Sequence, residues 1–87
     1  MNIKVDIHTL ERALERGTNE EEIKDVVLTG FPIPAKYNRE GKAKVFEFKQ
    51  KRHNRYYEQK LVEVYFLIEG DDIITVTVYV FYGKWEV

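Results

Sequence analysis

The sequence predicts an α+β fold in which two N-terminal helices pack on a three- to four-stranded antiparallel β-meander. Residues 7–16 place apolar side chains at helical spacing and are followed by Gly17. Residues 42–81, in contrast, are rich in Val, Ile, Thr, Phe and Tyr, which favour strands. Because the chain has 87 residues, we expect one domain spanning residues 1–87 with a modest core.

Both predicted helices have recognisable ends. The first covers residues 7–16, and Gly17 is a typical left-handed C-terminal cap. Residues 18–21 have the pattern of a capping box and open the second helix, which we expect to continue to about Leu28. Gly30 then ends it, so the two helices follow each other with only a short connection.

The rest of the chain is expected to form the meander. The proline-containing segment 31–34 cannot continue a helix and should run briefly extended along an edge. Residues 70–72 supply a tight turn, and residues 50–59 form either a longer hairpin loop or a bulged strand extension. The three predicted strands are residues 42–49, 61–68 and 72–81.

Alternation along these strands predicts two different faces of the sheet. The face toward the helices should carry Phe46, Phe48, Val62, Val64, Phe66, Ile74, Val76, Val78 and Val80. The opposite face should carry Glu47, Lys49, Glu63, Tyr65, Thr75, Thr77 and Tyr79. Such a polar tray suits a nucleotide, but it is equally the solvated face of any half-buried antiparallel sheet.

The net charge of −1 conceals a basic segment in the middle of the chain. Residues 36–60 hold nine Lys and Arg against three Glu, a net charge of +6, with tyrosines interleaved. This pattern favours contact with phosphates by charge and with bases by stacking, although a solvated hairpin has the same composition. The candidate nucleic-acid-binding residues are Lys49, Arg52, His53, Arg55 and Lys60.

A row of three side chains on the first helix carries the candidate chemistry. His8, Arg12 and Arg16 are spaced by four residues and therefore share one helix face. A proton donor or acceptor beside two anion-binding groups suits phosphate chemistry. The alternatives are structural: His8 is then a helix-edge histidine, and the arginines pair with neighbouring carboxylates.

The same residues carry a resemblance to a known family. His8-x-x-x-Arg12-x-x-x-Arg16-Gly17, Gly30 after the second helix and Thr77-Val78-Tyr79 in the last strand resemble the Domain of Unknown Function 4258 family. That family is grouped with RelE/ParE-like toxins, among the small ribonuclease folds that include barnase, EndoU and the tRNase colicins. The resemblance implies a RelE-like small ribonuclease fold, with a helix pair packed on a small antiparallel sheet, and metal-independent RNA cleavage or ribosome-associated toxicity. From the chemistry of the side chains, the candidate catalytic residues are His8, Arg12, Arg16 and Tyr79.

Other chemistry finds no support in the sequence. The chain has no cysteine, which excludes disulfides and thiolate sites, and it has no motif for a nucleotide cofactor or for a metal. We expect no cofactor and no bound metal. With no N-terminal signal pattern and no apolar run long enough to span a membrane, we expect a cytoplasmic protein without membrane contact.

Three functions are compatible with these sequence features. The first is a small toxin-like ribonuclease, whose partners are RNA or the ribosome and a cognate antitoxin protein. The second is a non-catalytic nucleic-acid-binding module that uses residues 36–60, and the third is a protein-interaction or homodimerisation domain. A geometric conflict stays open: the row on the first helix should cover the apolar face, whereas Thr77 and Tyr79 should point to the other. The two sets can meet only at an edge of the sheet.

Overall fold

A five-stranded sheet and two helices make up the computed structural model, which describes residues 2–85. The helices are α1 (Ile7–Arg16) and α2 (Glu20–Thr29). The order of strands across the sheet is β1-β5-β4-β3-β2. These strands are β1 (Asn2–Lys4), β2 (Phe31–Ile33), β3 (Glu40–Arg52), β4 (Arg55–Glu69) and β5 (Asp72–Gly83).

The prediction of a three- to four-stranded antiparallel meander is wrong. Strands β3, β4 and β5 are antiparallel neighbours, but β1 pairs with β5 in parallel, which makes the sheet mixed. Strand β2 adds a fifth member by pairing antiparallel with β3. Both edge strands have three residues, which is too short for a period-2 alternation to show in the sequence.

The ends of the helices follow from local hydrogen bonds. Helix α1 has the predicted bounds, and Gly17 caps it with φ 98°. The capping box predicted for α2 is wrong by one residue, because Asn19 is the cap and its side chain accepts from the backbone N–H of Glu22. Thr18 is buried instead, and its hydroxyl donates to the Glu22 carboxylate.

Strands β3 and β4 form one long hairpin. Their pairing continues to Arg52 and Arg55, and His53 and Asn54 make the turn with φ 52° and 65°. Two consecutive left-handed residues are typical of the tight turns that match strand twist. Residues 50–59 are therefore a strand extension, with a bulge between Glu47 and Gln50, rather than a loop.

A second bulge, in β5, decides which side chains reach the core. Tyr65 pairs with Thr77 and Phe66 with Thr75, so Val76 is an extra residue on β5. The alternation therefore changes phase: Thr75 and Ile73 are buried, and the prediction that Ile74 and Val76 form the core is wrong. The core consists of Ala13, Ile23, Val26, Val27, Val62, Val64, Phe66, Ile73 and Val78.

Thr75 is buried rather than on the polar face, and the partners of its hydroxyl explain why the core accepts it. The Thr75 Oγ1 accepts a hydrogen bond from the backbone N–H of Asp6 at 3.1 Å and lies 3.5 Å from the Lys4 carbonyl. These contacts hold the segment between β1 and α1 against β5. Satisfying the hydroxyl in this way removes the cost of burying it.

Three side chains from three strands bind the carboxyl end of α1. The guanidinium of Arg52 donates to the Glu15 carbonyl at 2.8 Å, and the ammonium of Lys60 donates to the Gly17 carbonyl at 2.8 Å. Between them, the Tyr82 hydroxyl donates to the carbonyl of Arg16. The last carbonyls of a helix have no partner within it, and cations suit its negative end. Helix α1 is thereby fixed along the edge of β5.

Helix α2 is tied to β3 by a partly exposed ion pair. The Lys44 ammonium lies 2.8 Å from an Asp25 carboxylate oxygen and also donates to the hydroxyl of Thr29 at 2.9 Å. Hydrogen bonds from Lys44 and Thr29 hold the pKa of Asp25 below its ordinary value of 3.8. The pair favours the folded state only while the carboxyl is ionised.

Replacing Gly17 by Ala is expected to destabilise the protein more than replacing Gly70. Both glycines have positive φ, which costs an alanine about 1 kcal/mol. A Cβ on Gly17 also overlaps the Tyr82 hydroxyl, whereas a Cβ on Gly70 meets nothing within 4 Å. We expect Gly17→Ala to cost about 1 to 3 kcal/mol more than Gly70→Ala in urea unfolding. Equal losses would show that the contact with Tyr82 does not constrain the helix end.

The Asp25 ion pair predicts a defined pH dependence of stability. Since the folded-state pKa of Asp25 is lowered, its stabilisation is present above the ordinary pKa and disappears as the pH falls through the lowered one. We expect Asp25→Asn to be less stable than the wild type at pH 6, and the difference to shrink as the pH falls from about 5 to about 2. Urea unfolding at each pH measures it, and Lys44→Met should show the same convergence. A difference that does not change with pH contradicts the role of the pair.

Candidate functional site

Helix α1 presents His8 at its first turn. Asp6 is the N-cap, and its Oδ2 accepts from the backbone N–H of His8 at 3.0 Å. The same oxygen lies 3.5 Å from the Nδ1 of His8, whose side chain is 82% exposed. Since Nδ1 faces the carboxylate, Nε2 is the ring nitrogen left to exchange a proton with a ligand. The Asp6 carboxylate and the imidazole therefore lie side by side at the surface.

The imidazole lines a cleft between α1 and β5. The volume of this cleft is about 220 Å³, and we call it the α1–β5 cleft. Arg12 lies one turn beyond His8 in the same wall and forms no salt bridge with a residue in the range 2–85. The bulge at Val76 forms part of the opposite wall. The lining residues are His8, Thr9, Arg12, Val76, Thr77 and Val78.

A second cleft lies on the other face of the sheet, where the connection between β2 and β3 covers the strands. Its volume is about 310 Å³, and we call it the tyrosine cleft. Thr77 lines both clefts, so the two are adjacent. The tyrosine cleft is lined by Pro34, Ala35, Lys36, Tyr37, Arg39, Tyr65, Thr77 and Tyr79.

Arg16 links the two clefts at the edge of the sheet. Its guanidinium donates to the Val78 carbonyl and lies 5.2 Å from the centre of the Tyr79 ring. The helix row therefore overhangs the edge, which is how it meets side chains of the opposite face. His8 and Arg12 share one cleft, whereas Tyr79 lines the other.

The tyrosine cleft contains a phenol with a fixed orientation. The Tyr65 hydroxyl donates to Glu63 at 3.3 Å, and its ring packs edge-on against Tyr79 with the centres 6.1 Å apart. Burial raises the pKa of Tyr65 above 10, and the negative charge of Glu63 raises it further. At neutral pH the phenol is therefore a hydrogen-bond donor whose proton already has a partner.

The predicted nucleic-acid-binding residues do not form one surface. Lys60 is buried, where it bonds to Gly17 and lies 2.7 Å from a Glu22 carboxylate oxygen. Arg52 bonds to the carbonyl of Glu15 and stacks on Tyr82, 5.0 Å from the ring centre. Both cations thus stabilise the fold.

The other three residues of that set are exposed and lie outside both clefts. Lys49 lies beside the β3 bulge, 3.8 Å from a Glu47 oxygen. His53 is in the hairpin turn, and Arg55 lies over Tyr57 at 5.9 Å. They surround the hairpin tip and are not joined to His8.

The candidate residues named from the sequence omit four residues of the site, although three of them belong to the basic segment 36–60. An aspartate two positions before His8 is a detectable N-cap signal, and it identifies Asp6 as the partner of the imidazole. Lys36, Tyr37 and Arg39 belong to the connection after β2, and only the folding of that connection over the sheet brings them to the cleft. No local pattern reveals such a long-range placement.

A comparison of the chain with known protein families, with curated proteins and with solved structures finds no match. Neither helix of the described residues is long and apolar enough to cross a membrane. Within residues 2–85, no group of three or more His, Asp and Glu side chains is arranged to hold a metal ion.

Replacing Lys60 is expected to reveal its structural role. Lys60→Met leaves the Glu22 carboxylate and the Gly17 carbonyl without their buried partner. Because Glu22 is partly exposed, we expect a loss of about 2 to 3 kcal/mol in the free energy of unfolding, below the full cost of breaking a buried pair. Lys49→Met removes an exposed cation and should change stability by less than about 0.5 kcal/mol in the same urea titration. Equal effects of the two variants would contradict the assignment.

Proposed function

We propose that the protein is a small metal-independent ribonuclease whose reactive centre is the α1–β5 cleft. The observation that carries the proposal is the presence of His8, oriented by Asp6, in the same cleft as the exposed guanidinium of Arg12. A proton-transfer group beside a cation is what attack on a phosphodiester requires. The resemblance of the His8, Arg12, Arg16 pattern to the Domain of Unknown Function 4258 family implies the same class of reaction.

The reaction proposed is intramolecular transfer of the phosphate. Nε2 of His8 takes the proton of a ribose 2′-hydroxyl, whose oxygen then bonds to the adjacent phosphorus. The bond from phosphorus to the 5′-oxygen breaks, leaving a 2′,3′-cyclic phosphate, and that oxygen takes a proton from water. The hydroxide left behind takes the proton held by His8, which restores the neutral imidazole. Arg12 stabilises the negative charge on the pentacoordinate phosphorus through its planar donors.

Asp6 and Arg16 act through their neighbours in this proposal. The Asp6 carboxylate lies 3.5 Å from Nδ1, so its negative charge faces the imidazolium that forms when Nε2 takes the proton. Arg16 is held by the Val78 carbonyl and the Tyr79 ring, so it fixes the wall between the clefts and adds positive charge there. Both are positioning residues.

Cleavage of RNA by the purified protein in excess chelator tests the proposal. We expect His8→Ala to lower the rate by about 10² to 10⁴-fold, the usual contribution of a general acid or base, and Arg12→Ala to lower it as well. Lys24→Ala, which removes an exposed cation from α2, is the matched control and should cleave as the wild type does. Circular dichroism verifies that each variant folds.

Asp6→Asn separates catalysis from helix capping. Asparagine caps a helix as well as aspartate does, so the fold is retained while the charge beside His8 is lost. We expect a smaller loss of rate than with His8→Ala. Cleavage that is lost on substitution of His53 but not of His8 contradicts the proposal. Cleavage that persists in both His8→Ala and Arg12→Ala contradicts it as well.

Binding of RNA without cleavage is the second candidate function. The exposed cations Arg12, Lys36 and Arg39 surround the two clefts, which favours phosphates whether or not a bond is broken. The same preparation distinguishes the two functions: retained salt-dependent binding with no cleavage by the wild type supports a binding module.

A further inference from the structure

We infer that the tyrosine cleft binds an unpaired nucleobase of single-stranded RNA, next to the phosphate held in the α1–β5 cleft. The inference rests on the proposed function for the identity of the neighbouring phosphate. It adds a base-binding subsite and a substrate class, namely RNA whose bases are not paired at the point of binding.

The walls of the tyrosine cleft suit a planar aromatic ligand. Tyr37, Tyr65 and Tyr79 line it, and the cleft has a volume of about 310 Å³. Every base has a π-face, so tyrosine rings bind bases by stacking with little dependence on sequence. The hydroxyl of Thr77 adds a hydrogen-bonding group at the side that adjoins the α1–β5 cleft.

The charge of the lining favours an anionic ligand, with the neighbouring carboxylate, that of Glu63, already bonded to Tyr65. Among the described residues that line the tyrosine cleft, Lys36 and Arg39 are cationic and none is acidic. The α1–β5 cleft likewise contributes Arg12 and no carboxylate to its lining. A polyanion that crosses from one cleft to the other therefore meets cations on both sides of Thr77.

Tyr37 lies in a tight turn of the connection between β2 and β3, which the backbone N–H of Arg39 closes by donating to the Lys36 carbonyl at 3.2 Å. Its φ is 60°, it is followed by Asn38 with φ 59°, and the residue is 82% exposed. A left-handed conformation is costly for a bulky residue, and an exposed ring gains little from burial in return. The turn nevertheless holds the ring at the cleft, where Arg39 lies 5.9 Å from its centre. Two consecutive left-handed residues are typical of such a turn, as at His53 and Asn54, so the turn rather than side-chain packing sets the position of the ring.

This arrangement favours single-stranded RNA as the substrate. A base within a duplex is stacked on both faces and paired at its edge, so it cannot enter a cleft lined by tyrosines without leaving the helix. An unpaired base enters at no such cost, while its backbone continues past Thr77 toward His8.

Binding to three fluorescein-labelled RNAs of equal length tests the inference. The probes are a single strand, the same strand annealed to its complement, and a strand of abasic ribose phosphates. Fluorescence anisotropy is measured with the His8→Ala variant, so that cleavage does not consume the probe. We expect the single strand to bind more tightly than the other two probes.

Adding Tyr37→Ala should weaken binding of the single strand about 5-fold or more and leave the abasic strand unchanged, because only the former presents a base to stack. Tyr56→Ala is the matched control: Tyr56 is an exposed tyrosine on the long hairpin, outside both clefts, and its loss should change neither affinity. Equal affinity for the single and abasic strands, or no effect of Tyr37→Ala, overturns the inference.

Different experimental results would overturn the inference and the proposed function. Wild-type protein that cleaves RNA but shows no preference for bases retains the ribonuclease and loses the subsite. Protein that binds single strands through Tyr37 but cleaves none retains the subsite and loses the ribonuclease. Absence of binding to all three probes overturns both.

Discussion

The carboxyl end of α1 is the point on which the geometry of the site depends. Three successive carbonyls, those of residues 15–17, accept hydrogen bonds from side chains of β3, β5 and β4. Because a helix is rigid over ten residues, fixing this end also fixes the direction of its other end. His8 and Arg12 consequently lie over β5 without needing tertiary contacts of their own, and their side chains remain exposed.

The cations of residues 36–60 include two groups, those that bond within the fold and those that remain at the tyrosine cleft. Arg52 and Lys60 stabilise the helix end, and Lys44 is paired with Asp25, so these charges are neutralised or engaged within the fold. Lys36 and Arg39 remain at the tyrosine cleft. The field that a ligand meets is therefore set by a few placed cations, and the linear count of +6 in residues 36–60 overstates it.

Local signals in the sequence are sufficient to predict the two helices and the part of the site that α1 carries. The period of residues 7–16 and the glycine after them specify α1, and the shared face of His8 and Arg12 follows directly. Strand β1 is not predictable, because three residues carry no period and their partner lies about 70 positions away. Likewise, the bulge at Val76 depends on the pairing of β5 with β4, and it reverses the face of Thr75. The position of Tyr37 requires the fold of the connection as a whole.

The short edge strands also have a consequence for how copies of the chain behave beside one another. β1 and β2 have three residues each, and β2 contains Pro32, which lacks a backbone N–H to donate. Beyond β2, the unpaired edge of β3 carries Lys44, Lys49 and Lys51 and is interrupted by a bulge. Part of the unpaired edge of β5 is covered by α1. Within residues 2–85, the sheet has no long, flat and uncharged edge with which a strand from another molecule could pair. A chain so rich in β-branched and aromatic residues therefore carries its own protection against amyloid-like growth.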